Sequence, residues 1–108
     1  MTTSIPTGAR SAVRIRSHHR CCRCLVPAPN GHLHHRRTRS VDDEHQHCVC
    51  NLVLLCARCH RDVHAFPVAS REAGFIVSRF ETEPATVPYR NNLGLTFTDC
   101  LGGVRVET

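Results

Sequence analysis

Two stretches concentrate the reactive side chains of this chain. The first, Gly31-His32-Leu33-His34-His35-Arg36-Arg37, carries a doubled histidine. The second runs from Asn51 through Cys56-Ala57-Arg58-Cys59-His60 to His64. His60 and His64 stand four positions apart, so on a helix their imidazoles lie one turn above each other and can chelate one cation. His34 offers a third ligand from a strand. His32 competes with it, because residues two apart in a strand face the same side. If His34 ligates, His35 is left uncommitted and can face a substrate, provided the backbone turns or bulges there. A metal site with a spare base beside it suits hydrolysis, whereas a purely structural site has no use for the extra base. His18, His19, His45 and His47 are expected to be satisfied or solvated imidazoles.

The cysteines suggest a second, separate task. Cys21-x-x-Cys24 and Cys56-x-x-Cys59, with 31 residues between the pairs, can supply four thiolates to one Zn²⁺ at about 2.3 Å each. Such a site closes a long loop and adds folding free energy that a small core needs. It would pin the segment carrying His34 and His35 against the helix carrying His60 and His64. Cys22 competes with Cys21 for this role, and Cys22, Cys48, Cys50 and Cys100 are expected to be ordinary small residues, buried or half-buried. No apolar run of signal-peptide or membrane-helix length stands in the sequence, which points to a reducing, cytoplasmic setting with no membrane partner. There, paired cysteines are metal ligands more often than disulfides.

Charge is divided unevenly. The net charge is +5, and residues 1–71 hold eleven arginines against four acids, while residues 72–108 hold three against five. The basic half is also the half with the histidines and cysteines. A positive field around a metal site suits a polyphosphate partner. All the basic residues are arginine and none is lysine. Base composition accounts for that bias first, although each guanidinium can also fork two hydrogen bonds onto a phosphate. Arg36, Arg37, Arg39, Arg58 and Arg61 are the cations nearest the histidines in sequence.

These residues must be positioned by a small domain with a modest apolar core. Residues 1–9 read as a loose arm and 10–20 as a brief helix or strand. Residues 21–30 form a knuckle and a proline-rich loop, with a chain reversal at Pro27-Ala28-Pro29-Asn30-Gly31. Residues 31–37 read as a short strand. The polar loop 38–47 contains Asp42-Asp43-Glu44, either a solvated face or an acidic ligand. Residues 51–55 are an apolar run, and 57–66 suit a helix that stops before Pro67. Strands are expected at 74–80, 95–100 and 104–107, the last two around Leu101-Gly102-Gly103. The expected class is therefore small α+β. It divides into a basic N-terminal arm at 1–20, the site-bearing core at 21–67 and a strand extension at 68–108.

The order His34-His35, Asn51, His60, His64, with nine positions from Asn51 to His60 and four more to His64, resembles the HNH nucleases, the ββα-metal (His-Me finger) group that includes the nuclease colicins. The two Cys-x-x-Cys pairs are similar to its zinc-stapled branch, and the arginine-rich setting to its bacteriophage and actinobacterial members. The resemblance covers residues 21–67. It implies a ββα-metal core with one structural Zn²⁺ on Cys21, Cys24, Cys56 and Cys59. It also implies one catalytic divalent ion on His34, His60 and His64, with His35 as general base and Asn51 as the residue that orients it. Arg36, Arg37, Arg39 and Arg61 would meet the phosphates of DNA. Many members have Asp where His34 stands, and three imidazoles favour Zn²⁺, Ni²⁺, Co²⁺ or Mn²⁺ over Mg²⁺. The resemblance further suggests phage DNA-packaging (terminase) proteins as partners. The competing class is a non-catalytic zinc module that binds nucleic acid, which would leave His35 and the His60/His64 pair without a use.

Overall fold

Leu52-Val53-Leu54-Leu55 is buried along its whole length, as a continuous apolar run must be if both of its faces are covered. In a computed structural model, which describes residues 4–108, this run is strand β2 (Leu52–Leu55). It pairs antiparallel with β1 (His32–His35) in the register His32–Leu55, Leu33–Leu54, His34–Val53 and His35–Leu52. Helices α1 (Thr7–Arg16) and α2 (Ala57–Ala65) both pack against β2. Val13, Val63, Phe75 and Tyr89 complete the core around it. The chain is thus a small α+β fold, as expected.

The N-terminal segment is more than a basic arm. Ile5, Ala9 and Val13 recur every four residues and pack on the core, and the Arg16 guanidinium donates to the carbonyls of Val49 (2.8 Å) and Leu52 (2.6 Å). The expected arm at 1–9 therefore gives way to helix from Thr7 onward, and residues 1–3 lie outside the described residues. Helix α2 ends before Pro67 as read from the sequence. Proline also starts α3 (Pro67–Glu72), where its missing N–H costs nothing in the first turn. Segment 74–80 is not a strand. Gly74 turns at φ +85°, and the amides of Phe75 and Ile76 donate to the Ser70 carbonyl instead of a neighbouring strand. A single bridge, Arg37–Val77, remains.

A second sheet carries β3 (Tyr89–Asn91), β4 (Gly94–Thr98) and β5 (Val104–Glu107) in antiparallel order. The last two match the strands expected around Leu101-Gly102-Gly103, while β3 was hidden by its short length. Among the described residues, no helix is long and apolar enough to cross a membrane.

Candidate metal centres and cleft

Strand alternation turns His34 inward to 5% exposure, where it meets the face of α2 that carries His60 and His64. One ring nitrogen from each of the three lies within 4.8 Å of the others. His60 Nε2 and His64 Nε2 are 3.3 Å apart. This equals the edge, about 3.3 Å, of a tetrahedron with Zn–N bonds near 2.0–2.1 Å. His34 Nε2 donates to the Phe75 carbonyl at 2.8 Å, since a carbonyl can only accept. That bond selects the tautomer whose Nδ1 lone pair is free, the usual outer support of a metal-binding imidazole. Burial pushes the His34 ring down to about 4, against the Phe75 carbonyl, which favours the protonated form. His32 is exposed and stacks on His60 at 4.7 Å. His34, not His32, completes the cluster.

His35 follows at the end of β1. It lines, with His34, His60 and His64, a cleft of about 1000 Å³. Its Nε2 lies 3.0 Å from His47 Nδ1. Burial first, then the charges of Arg39, His47 and His34, push His35 down to about 4, so its imidazole is neutral at pH 7. The side chain of Asn51 turns to the backbone rather than to that ring. Fully buried, it accepts from the Arg37 amide at 2.7 Å and donates to the carbonyls of Arg37 (3.2 Å) and Gln46 (3.1 Å). Its carbonyl also accepts from the Arg36 amide. Asn51 therefore ties the backbone just after His35 to the backbone just before His47. His47, expected to be a satisfied or solvated imidazole, is the side-chain partner.

The expected phosphate contacts of Arg36 and Arg37 do not hold, because both side chains are buried, at 2% and 1% exposure. Arg36 Nε donates to Gly74 O (2.9 Å), Nη1 to Cys50 O (3.1 Å) and Pro84 O (3.3 Å), and Nη2 to Val87 O. Burial pushes it down to about 10, still charged at neutral pH. Arg37 donates to Glu81 O and pairs with Asp43, and Asp43 joins none of the donor clusters among the described residues. Arg36→Met should leave the carbonyls of Gly74, Cys50 and Val87 without this donor, while Pro84 O keeps the Val87 amide, at a cost of about 1–3 kcal/mol for each buried acceptor left unpaired. Urea denaturation will measure it, and a loss under about 1 kcal/mol would show that the clasp is not structural.

Exposed cations do reach the cleft. Arg39 lines it as the sequence suggested, joined by Arg71 from α3 and Arg79 beside the exposed Phe80. No acidic residue is among its described lining. Arg71 and Arg79 lie outside the histidine-bearing segments, so only their charge marked them. Arg61 is exposed on α2 but outside the cleft lining, and Arg58 pairs with Asp62 at 3.9 Å.

The two Cys-x-x-Cys pairs converge as expected, with all four Sγ atoms of Cys21, Cys24, Cys56 and Cys59 within 4.8 Å of one another. Cys24 Sγ and Cys56 Sγ are 3.8 Å apart, equal to the tetrahedral edge of about 3.8 Å for Zn–S bonds of 2.3 Å. Cys56 caps α2, its Sγ accepting from the Cys59 amide. Cys21 is brought down to about 7: burial raises it, but the amides of Cys24, Cys56 and Arg23 outweigh that. Arg23 Nη1 lies 3.3 Å from Cys59 Sγ, offsetting thiolate charge. Cys22 is buried instead against Leu54 and Tyr89, which decides between it and Cys21. These donors suit a structural zinc ion.

A third group was not expected. His45, Cys48, Cys50 and Cys100 bring their donor atoms within 4.8 Å of one another, so three cysteines read as ordinary and one histidine read as satisfied or solvated cluster together. The compact His45-x-x-Cys48-x-Cys50 run was the available sequence signal. Its fourth member comes from the far end of the chain. No family model, curated protein or solved structure matches this chain.

Proposed function

We propose that the protein is a metal-dependent endonuclease of the HNH, ββα-metal type that hydrolyses DNA phosphodiester bonds. The observation that carries this reading is that His35 opens onto the same cleft as the His34/His60/His64 cluster without joining it. A neutral imidazole there can take a proton from water and direct the oxygen at phosphorus. His47 holds the ring by its hydrogen bond, and Asn51 holds the loop that supports both. Arg39, Arg71 and Arg79 offer positive charge to the phosphate backbone along the cleft. Three imidazole donors suit Zn²⁺, Ni²⁺, Co²⁺ or Mn²⁺ better than Mg²⁺. When bound, a divalent ion supplies Lewis-acid stabilisation of charge on the phosphate and the departing 3′ oxygen.

The test is incubation of the purified protein with supercoiled plasmid under a series of divalent metals. Nicked or linear product is expected with a transition metal. It should stop on chelation and return when the metal is restored. Retardation of DNA in a gel with no cleavage under any metal would replace the nuclease by a nucleic-acid-binding zinc module.

A further inference from the structure

We propose that His45, Cys48, Cys50 and Cys100 form a further zinc site, a structural one, which clasps the C-terminal sheet to the loop joining β1 and β2. Cys48 Sγ and Cys50 Sγ are 3.3 Å apart, and His45 Nδ1 lies 3.9 Å from both Cys50 Sγ and Cys100 Sγ. The S–S separation is shorter than the S–S edge of about 3.8 Å at a tetrahedral zinc ion, and the N–S separations are longer than its N–S edge of about 3.5 Å. Each pair therefore lies within about half an ångström of that geometry. Soft thiolates with one imidazole select zinc over the oxygen-seeking cations.

Local backbone bonds place every donor. The Cys48 amide donates to the His45 carbonyl, and the Asn51 amide to the Cys48 carbonyl, so the loop donors sit on one hydrogen-bonded turn. On the other side, the Asp99 carboxylate accepts from the amides of Leu101 (2.8 Å) and Gly103 (2.7 Å). This shapes the turn between β4 and β5 that presents Cys100. The sheet is anchored to the core at β3 through Tyr89, and the tie would act at its other end, where β5 is exposed along its whole length and Leu101 on the β4–β5 turn is 96% exposed. The donors are distinct from both other clusters, so the site stands or falls independently of the nuclease reading.

Residue-resolved thiol alkylation of the full-length, zinc-loaded protein tests it. Cys48, Cys50 and Cys100 should resist iodoacetamide, as buried Cys22 should too, and should react after chelation, as read by peptide mass spectrometry. Native mass spectrometry should show Cys100→Ser, altered at an exposed position, losing about one zinc relative to wild type while the Cys21/Cys24/Cys56/Cys59 zinc stays. Proteolysis within residues 92–108 should quicken in that variant. Ready alkylation of Cys100 in the zinc-loaded protein would overturn the proposal, whatever the variant does. So would a disulfide between any two of these cysteines, or unchanged zinc content in a folded Cys100→Ser protein.

Discussion

His35→Ala is expected to lower DNA cleavage by about 10²–10⁴-fold, the range a positioned general base contributes, while bound metal and fold remain. The expectation follows from where the ring sits. His35 is outside the His34/His60/His64 cluster, so its removal takes no ligand from the ion. It is only partly buried, and the hydrogen bond it leaves is to His47, itself partly exposed, which water can satisfy. The lesion therefore falls on proton transfer. Single-turnover plasmid cleavage, read beside metal content and a urea melt, separates these contributions. His47→Ala should cost far less, since His47 orients the ring without replacing it. A His35→Ala protein that cuts at the wild-type rate would remove the base from the mechanism.

Cys56→Ser is expected to abolish folding. Cys56 has two tasks, capping α2 through its Sγ and closing the four-cysteine cluster, and serine can do only the first. A serine hydroxyl is among the better N-caps, so the helix signal survives and the loss isolates the metal. Structural zinc contributes an apparent free energy of about 10–16 kcal/mol in small domains, against a total stability of about 5–15 kcal/mol. Circular dichroism with zinc analysis should show a metal-poor, unfolded chain. A folded, zinc-free Cys56→Ser protein would show that the apolar core around β2 suffices without the staple.

The candidate site was legible wherever its logic is short-range. His60 and His64 meet because four residues make one helical turn, and Cys-x-x-Cys closes on itself within a single knuckle. Asn51 was singled out as the residue that orients the His35 ring, but its side chain turns to the backbone. An amide that satisfies three backbone groups at once supports the loop rather than the ring. Arg36 and Arg37 were misread because charge in a sequence suggests surface. Burial becomes tolerable only when carbonyls from distant segments, Gly74, Pro84, Val87 and Glu81, arrive to receive the guanidinium hydrogens. The same limit left residues 10–20 open between helix and strand and hid the start of the helix at Thr7, because its apolar stripe is three residues among many arginines.

By itself, then, the sequence determined the His60/His64 pair, the two Cys-x-x-Cys pairs, the apolar strand between the clusters and the helix that carries His60 and His64. Each rests on a fixed local period or on a contiguous run. Tertiary structure alone decided three things: that His34 rather than His32 completes the histidine cluster, that Arg71 and Arg79 join Arg39 at the cleft, and that Cys100 meets His45, Cys48 and Cys50. Those outcomes depend on which distant segments share a volume. That is settled by packing around β2 and by backbone groups seeking partners, and no spacing along the chain records it.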